Sequence, residues 1–147
     1  MSGGFTQSTT SVMDCANDAA RKLNHQYIGA EHLLLGLLKS GEIARVLRSI
    51  NVDADAVRAD LEAVLCRVDV PVPVGKLPIT PRAKRIIEHA ISEARPFEPS
   101  GRLADAMDIL VGIFVDNESS AAFVLAKYRL TAEVLRSECQ KIRNSQD

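Results

Sequence analysis

The chain contains the stretch His32-Leu33-Leu34-Leu35-Gly36-Leu37 and repeats its pattern as Asp108-Ile109-Leu110-Val111-Gly112-Ile113. After a polar first residue, both stretches are apolar on every side around one glycine, which is typical of a helix at the centre of a helical bundle. Leucine favours helix, whereas a buried strand would more often use β-branched residues. We therefore predict two equivalent buried helices, from Ala30 to Lys39 and from Ala104 to Val115.

The repeat extends outward from these two helices over almost the whole chain. Thr6, Ala16 and Ala20 return 74 residues later as Thr80, Ala90 and Ala94, and Val46-Leu47 returns 78 residues later as Val124-Leu125. The central stretches are 76 residues apart, so the register slips by two residues twice, as insertions in loops would produce. Duplicated supersecondary units bury their apolar faces against each other. The pattern predicts one domain with pseudo-twofold symmetry.

Each copy is predicted to form four helices. Thr6 is a good N-cap for a first helix over Gln7–Leu23. Thr80 caps its counterpart, which starts at Pro81 and ends before Pro96. Short third helices are expected over Ile43–Ile50 and Ser119–Tyr128, and fourth helices after the caps Asp53 and Thr131, ending near Arg67 and Arg143. The predicted fold is all-α, with repeats over about 5–67 and 79–144 and a proline-rich connector over about 68–78.

The composition is that of one globular domain. The chain has 147 residues, of which 46% are hydrophobic and 25% charged, and its formal net charge is −1. This charge gives no general attraction to nucleic acid. No apolar run has the length of a membrane span, and no signal peptide is evident, so a cytoplasmic location is expected. Cys15, Cys66 and Cys139 form no CxxC pair, which makes a zinc site improbable and predicts small buried thiols.

The sequence carries no motif of a common enzyme. Phosphate-binding glycine loops, HExxH and GxSxG are all missing. His25, His32 and His89 are too scattered to predict a metal site, and Glu31 and His32 are helix neighbours that point about 100° apart. We expect His32 to be a partly buried, hydrogen-bonded structural residue, and Asp105 with Asp108 to serve at a helix start. The prediction is a non-enzymatic protein without metal or cofactor.

Two features favour recognition of a ligand. A helix N-terminus with free amides at Thr6 and Gln7 is a place where an anion can bind. Glu31 lies at the start of a strongly apolar helix. A carboxylate is unexpected next to the core unless it faces the rim of a binding site. The competing interpretation of Glu31 is a first-turn glutamate stabilised by the helix dipole.

The same residues carry a family resemblance. Phe5-Thr6, followed by Ala19 through Leu37 with the block Gly-Ala-Glu-His-Leu-Leu-Leu-Gly, resembles the first repeat of the Clp N-terminal domain. That domain precedes the ATPase rings of ClpC- and ClpA-type unfoldases. Ile79 through Arg85, with Ala94-Arg95, is similar to the opening of its second repeat. The resemblance covers about residues 5 to 143.

The resemblance implies a function and a site. Such domains bind adaptors and unfolded or phosphorylated client proteins and pass them to a Clp AAA+ ATPase ring. In ClpC-type members the resemblance also implies phosphoarginine recognition, with Thr6 on the phosphate side and Glu31 on the guanidinium. In the second repeat Thr80 remains but Met107 stands at the register of Glu31. A second site at Thr80 would therefore be weakened.

Several alternatives stay open at this stage. The chain would be either an isolated domain of a longer unfoldase or a free-standing protein, and is expected to be monomeric when isolated. A second function class is a regulatory scaffold that binds a partner peptide or helix in an apolar groove between the repeats, unrelated to proteolysis. Phe97, Met107 and Phe123 are candidates to line such a groove, with core packing as the competing interpretation.

Overall fold

The computed structural model describes residues 7–66, 72, 75–94 and 104–145. Its described residues form two sets of four helices. They are α1 (Gln7–Lys22), α2 (Ala30–Leu37), α3 (Gly41–Ser49), α4 (Ala54–Val64), α5 (Pro81–Ala94), α6 (Ala106–Asp116), α7 (Ser120–Ala126) and α8 (Ala132–Ser145). This confirms the all-α fold of two tandem four-helix repeats.

Side-chain caps begin several of these helices where the sequence predicts them. The Asp53 carboxylate accepts the amide of Asp55 at 2.9 Å. The hydroxyls of Thr80 and Thr131 each accept the amide three residues later, at 3.1 Å. Such bonds satisfy amides that have no acceptor inside the helix. The first cap, Thr6, lies outside the described residues.

The central helices α2 and α6 are buried along almost their whole length, as predicted. Leu33, Leu34 and Leu37 in α2 have no exposed surface, and neither do Ile109 and Ile113 in α6. Helix α1 packs on α2 and α5 packs on α6. A Cβ atom placed on Gly36, near the end of α2, would lie 2.5 Å from the carbonyl oxygen of Val12. Only glycine allows α1 to approach so closely.

The two repeats are interlocked by backbone contacts at the start of each central helix. The Ile28 amide donates to Pro78 O at 2.8 Å, and the Thr80 amide donates to Ile28 O at 3.0 Å. In the other direction the buried hydroxyl of Thr9 donates to Ala104 O at 3.0 Å. Each repeat therefore holds the segment that enters the central helix of the other.

The outer helices also cross between repeats. Helix α3 packs against α8, and α4 packs against α7. Just after α7, the Tyr128 hydroxyl donates to the Asp60 carboxylate of α4 at 2.6 Å. Burial, followed by this hydrogen bond to a carboxylate, raises the pKa of Tyr128 to about 12. This bond ties the two copies together at a position that holds Ile50 in the first repeat.

The end of the connector is fastened to α1. Gly75 has φ +99°, a left-handed conformation that favours glycine. Its carbonyl oxygen accepts the Arg21 guanidinium at 3.1 Å and the Asn17 amide at 3.4 Å. Asn17 Oδ1 also accepts the amide of Leu77 at 2.8 Å. The Asn17 side chain thus both donates to and accepts from the connector backbone, as the backbone of a neighbouring strand would.

Some local predictions differ from the structure. Helix α3 begins at Gly41, two residues before the predicted start, and α4 ends at Val64. The predicted α4 end, Arg67, lies outside the described residues. Cys139 is the buried thiol expected, and burial raises its pKa to about 12.

The prediction that all three cysteines are buried thiols was wrong for Cys66, which is exposed because it follows the last packed turn of α4, and Cys15 is half-buried. Within the described segments, no single helix has the length and apolarity needed to cross a membrane. Only α6 and α7 together, across a 92° bend, meet those two criteria.

Candidate ligand-binding site at the start of helix α5

The structure places Glu31 beside the second repeat. Glu31 is the second residue of α2 and is partly exposed. A Cβ atom built on Gly29 would lie 3.1 Å from Glu31 Oε1 and 3.9 Å from Thr80 Cγ2. The carboxylate of one repeat and the helix-start threonine of the other are therefore neighbours. The pairing of Glu31 with Thr6 stays a prediction, because Thr6 lies outside the described residues.

This juxtaposition follows from the backbone interlock between the repeats. The loop before α2 pairs at Ile28 with the residues on both sides of Ile79, which fixes the distance from α2 to the start of α5. Glu31 is carried there because it lies one residue into α2. The family resemblance pairs Glu31 with Thr6 of its own repeat. No pattern in the sequence signals that Thr80 of the other repeat also lies near Glu31.

Glu31 also has a structural partner. Its Oε2 accepts the amide of Ser120, the first residue of α7, at 3.2 Å. A carboxylate at a helix N-terminus is stabilised by the free amides and the dipole there. The predicted interpretation of Glu31 as a first-turn glutamate of α2 is therefore incomplete. The residue bridges the starts of α2 and α7 while it remains partly exposed.

A charged cluster surrounds the first turn of α5. Arg82 Nη1 donates to Asp116 Oδ2, at the end of α6, at 2.8 Å. This hydrogen bond is the main cause that raises the pKa of Arg82, and the charges of Glu118 and Glu31 add to it. Sequence reasoning missed Arg82 and Asp116 as members of the site. Arg82 directly follows the Thr80-Pro81 helix start, and that position was the available signal.

The cluster can complement a ligand that carries an anion and a cation close together. A helix start with an arginine in its first turn attracts anions, and the neighbouring carboxylates attract a guanidinium. Two first-turn amides are already used, because Ala83 donates to Thr80 Oγ1 and Lys84 to Thr80 O. Pro81 has no amide hydrogen. An anion at this helix start would therefore depend on Arg82.

A chain of hydrogen bonds through two buried histidines holds the backbone turn before Glu31. The Gly29 amide donates to His32 Nδ1 at 2.9 Å, so a neutral His32 carries its proton on Nε2. His32 Nε2 donates to His25 Nδ1 at 2.7 Å, and His25 Nε2 donates to Cys66 O at 2.7 Å. Every donor in this chain meets an acceptor only when both imidazoles are neutral. Burial, and then the neighbouring His25, lowers the pKa of His32 to about 4.

His32 is 1% exposed, which confirms its predicted structural role. The histidine chain joins the start of α2 to the residue that follows α4. It therefore fixes the backbone turn that carries Glu31.

In the second repeat, the turn before α6 is held by carboxylates and an arginine instead of histidines. Asp105 and Asp108 cap α6 reciprocally, at 3.0 and 3.1 Å. Arg143 from α8 donates to both carboxylates at 2.8–3.0 Å. Burial opposes the charge of Arg143, but these carboxylates outweigh it and raise its pKa. Asp105 and Asp108 are thus the helix-start residues that the sequence predicts.

Met107, at the register of Glu31, has no exposed surface and belongs to the core. It therefore lines no surface groove and offers no carboxylate to a ligand, and the competing interpretation as a core residue was the right one. Phe123 is instead 77% exposed, and Phe97 lies outside the described residues. Across residues 7–66, 75–94 and 104–145, no group of His, Cys, Asp and Glu side chains is arranged to hold a metal ion.

Comparison with known proteins identifies relatives of this arrangement. The family model described as the Clp repeat (R) N-terminal domain matches residues 4–128. The ATP-dependent Clp protease ATP-binding subunit ClpC of Staphylococcus aureus, in strains USA300 and N315 among others, is 37% identical over 141 residues. The match covers 95% of this chain and 17% of the relative. The chain thus spans about a sixth of the length of these relatives.

Two solved structures share the fold at low sequence identity. The Hsp104 N-terminal domain from Candida albicans has a TM-score of 0.76 at 12% identity, over 97% of this chain and 93% of the other. The N-terminal domain of the caseinolytic protease associated chaperone ClpD from Arabidopsis thaliana has a TM-score of 0.70 at 19% identity, over 96% of both chains. These likenesses support the eight-helix fold.

Proposed function

The chain belongs to the Clp repeat (R) N-terminal domain family, and from that premise we propose that it is a protein-binding module of a Clp ATP-dependent protease and chaperone system. Its partners would be a Clp AAA+ ATPase ring, adaptor proteins and unfolded client proteins. The module itself would be non-enzymatic and act in the cytoplasm.

We further propose that arginine-phosphorylated clients bind at the Glu31 cluster. Phosphoarginine presents an anionic phosphate directly on a planar guanidinium group. The observation that carries the proposal is the placement of the Glu31 carboxylate beside the Thr80 helix start, with Arg82 in its first turn. Glu31 would accept the guanidinium, and the helix start would attract the phosphate. Met107 replaces the equivalent carboxylate, so we expect one site per chain.

Titration with free phosphoarginine, followed by calorimetry and by NMR, tests this site. Glu31→Gln keeps an oxygen that can accept the Ser120 amide but removes the charge. Loss of a charged hydrogen bond of about 1.5–3 kcal/mol weakens binding by roughly 10- to 100-fold. Glu133→Gln is the matched control, because Glu133 is likewise the second residue of its helix and is exposed. Unchanged affinity in Glu31→Gln would refute the proposal.

Two variants decide which helix start serves the phosphate. Arg82→Gln should weaken phosphoarginine binding if α5 provides the anion site, and Thr6→Val should do so if the predicted pairing within the first repeat holds. The broader function is tested by calorimetry with a ClpC-type ATPase, an adaptor that acts with it, and unfolded casein. Absence of binding to all three would exclude the proposed function.

A further inference from the structure

Helix α7 presents an apolar face to solvent. Ala121, Ala122, Val124 and Leu125 are buried, whereas Ser120, Phe123 and Ala126 are exposed on the opposite side. Phe123 is 77% exposed, more than any other large hydrophobic residue that the structure describes. A phenyl group left in water forgoes the favourable free energy that its burial would contribute.

The first repeat shows that the fold does not require this apolar face. Its equivalent helix, α3, buries Ile43, Val46 and Leu47 at the same register, 78 residues earlier. Its outward positions hold Glu42, Arg45 and Arg48 where α7 has Ser120, Phe123 and Ala126.

Arg45 also has a use in the folded chain, because its guanidinium donates to Ser145 Oγ at the end of α8, at 3.3 Å. The same structural position thus accepts a charged residue in one repeat and carries an exposed phenylalanine in the other. Packing within the domain therefore does not account for Phe123.

Two grooves flank Phe123. One, of about 520 Å³, lies between α7 and the end of α4, so it runs between the repeats and includes Val64, which is 49% exposed. The second, also of about 520 Å³, is lined by Phe114 and Val115 from the end of α6 and by Ala132 from the start of α8. Phe123 and Ala126 line both grooves. An apolar segment laid across α7 would contact Phe123 from two sides.

The charged residues that line these grooves are all cationic. Lys127 lines the first groove and Arg136 lines the second, and no carboxylate lines either of them within the described residues. Arg136 forms an ion pair with Glu93 at 2.8 Å, which offsets its positive charge. Lys127 should therefore attract a carboxylate of a ligand more strongly than Arg136 does. This distribution complements a segment with carboxylates next to its apolar residues and disfavours a lysine-rich one.

We propose that the α7 face binds an acidic amphipathic helix of a partner protein, whose apolar side chains pack on both sides of Phe123 and whose carboxylates meet Lys127. This inference rests on the proposed protein-binding function and names the chemistry of one partner. Ser120 borders both this face and the Glu31 cluster, but Phe123 and Lys127 do not belong to that cluster, so each proposal can fail alone.

Two fluorescein-labelled 14-residue peptides test the proposal. They share one leucine stripe at helical spacing and carry either glutamate or lysine at the remaining positions. Anisotropy titrations should show saturable binding of the glutamate peptide to the wild-type chain and not of the lysine peptide. Phe123→Arg, which installs the residue of the first repeat, should weaken binding at least tenfold. Lys127→Glu should weaken it similarly.

Val134→Arg is the matched control, because Val134 is 42% exposed and lines neither groove. Equal binding of both peptides, no binding of either, or equal losses in Phe123→Arg and Val134→Arg would overturn the proposal. Wild-type self-association that Phe123→Arg abolishes would identify a second copy as the occupant and also overturn it. Phosphoarginine binding in Phe123→Arg shows separately whether the Glu31 cluster works.

Discussion

The buried histidine chain makes the domain less stable as the pH falls. The pKa of His32 is about 4 in the folded chain, against an ordinary value of 6.5. Above pH 6.5 the imidazole is neutral in both states, and its contribution to stability is complete. As the pH falls from 6.5 to 4, the unfolded chain binds a proton that folded His32 does not. Acid therefore destabilises the fold in this window.

The expected size of the effect follows from the two pKa values. Between pH 7.5 and pH 5, a fall in pKa from 6.5 to about 4 lowers the free energy of unfolding by about 2 kcal/mol. His25, which donates to Cys66 O, and the ring of Tyr27, with its centroid 6.1 Å from that of His32, are the other titratable groups that face this imidazole. The carboxylate of Glu31 lies one residue away.

Urea denaturation followed by circular dichroism at pH 7.5, 6 and 5 measures this effect. His32→Asn keeps an oxygen that can accept the Gly29 amide but loses the bond to His25, and should cost about 1–3 kcal/mol at pH 7.5. The difference from wild type should shrink by about 2 kcal/mol at pH 5, because the variant no longer has the titrating group. His89→Asn controls for the loss of a histidine at a partly exposed position. A difference between wild type and His32→Asn that stays constant from pH 7.5 to 5 would refute the reasoning.

Three further predictions follow from single contacts. Gly36→Ala should destabilise the domain by about 2 kcal/mol or more, because the new Cβ atom would lie 2.5 Å from the backbone of α1. Gly41→Ala is the control and should not destabilise the domain, because the space around Gly41 is open. Equal melting temperatures of the two variants would contradict this prediction. Tyr128→Phe should lower the free energy of unfolding in urea denaturation by about 1–2 kcal/mol, because the partly buried bond to the α4 carboxylate is lost. Exposed Cys66 should react with Ellman's reagent in the folded chain and buried Cys139 only on unfolding; equal rates would be inconsistent with their burial.

Much of the fold could be predicted because its determinants are local. The apolar stretch around Gly36 and its copy around Gly112 are continuous in sequence, and both form the buried central helices. Asp53 and Thr131 cap helices through bonds that span two or three residues. Such short-range patterns need no knowledge of how the helices pack.

The candidate site could be predicted only in part, because its partners come from different repeats. Glu31 was identified from its odd position beside an apolar run, but its neighbour Thr80 lies 49 residues further along the chain. The proximity of Glu31 and Thr80 depends on the backbone pairing of Ile28 with the Pro78–Thr80 segment, which involves no side-chain pattern. The exposure of Phe123 was equally hidden, because α7 has the same apolar spacing whether or not its outer face is covered.

The reciprocal contacts between the repeats make each copy depend on the other for its native structure. Ile28 of the first copy is held by the second, and Ala104 of the second copy is held by Thr9 of the first. Because the connector joins both copies in one chain, their association is intramolecular and does not vary with protein concentration. Two halves separated by a cut in the connector would instead have to associate from solution.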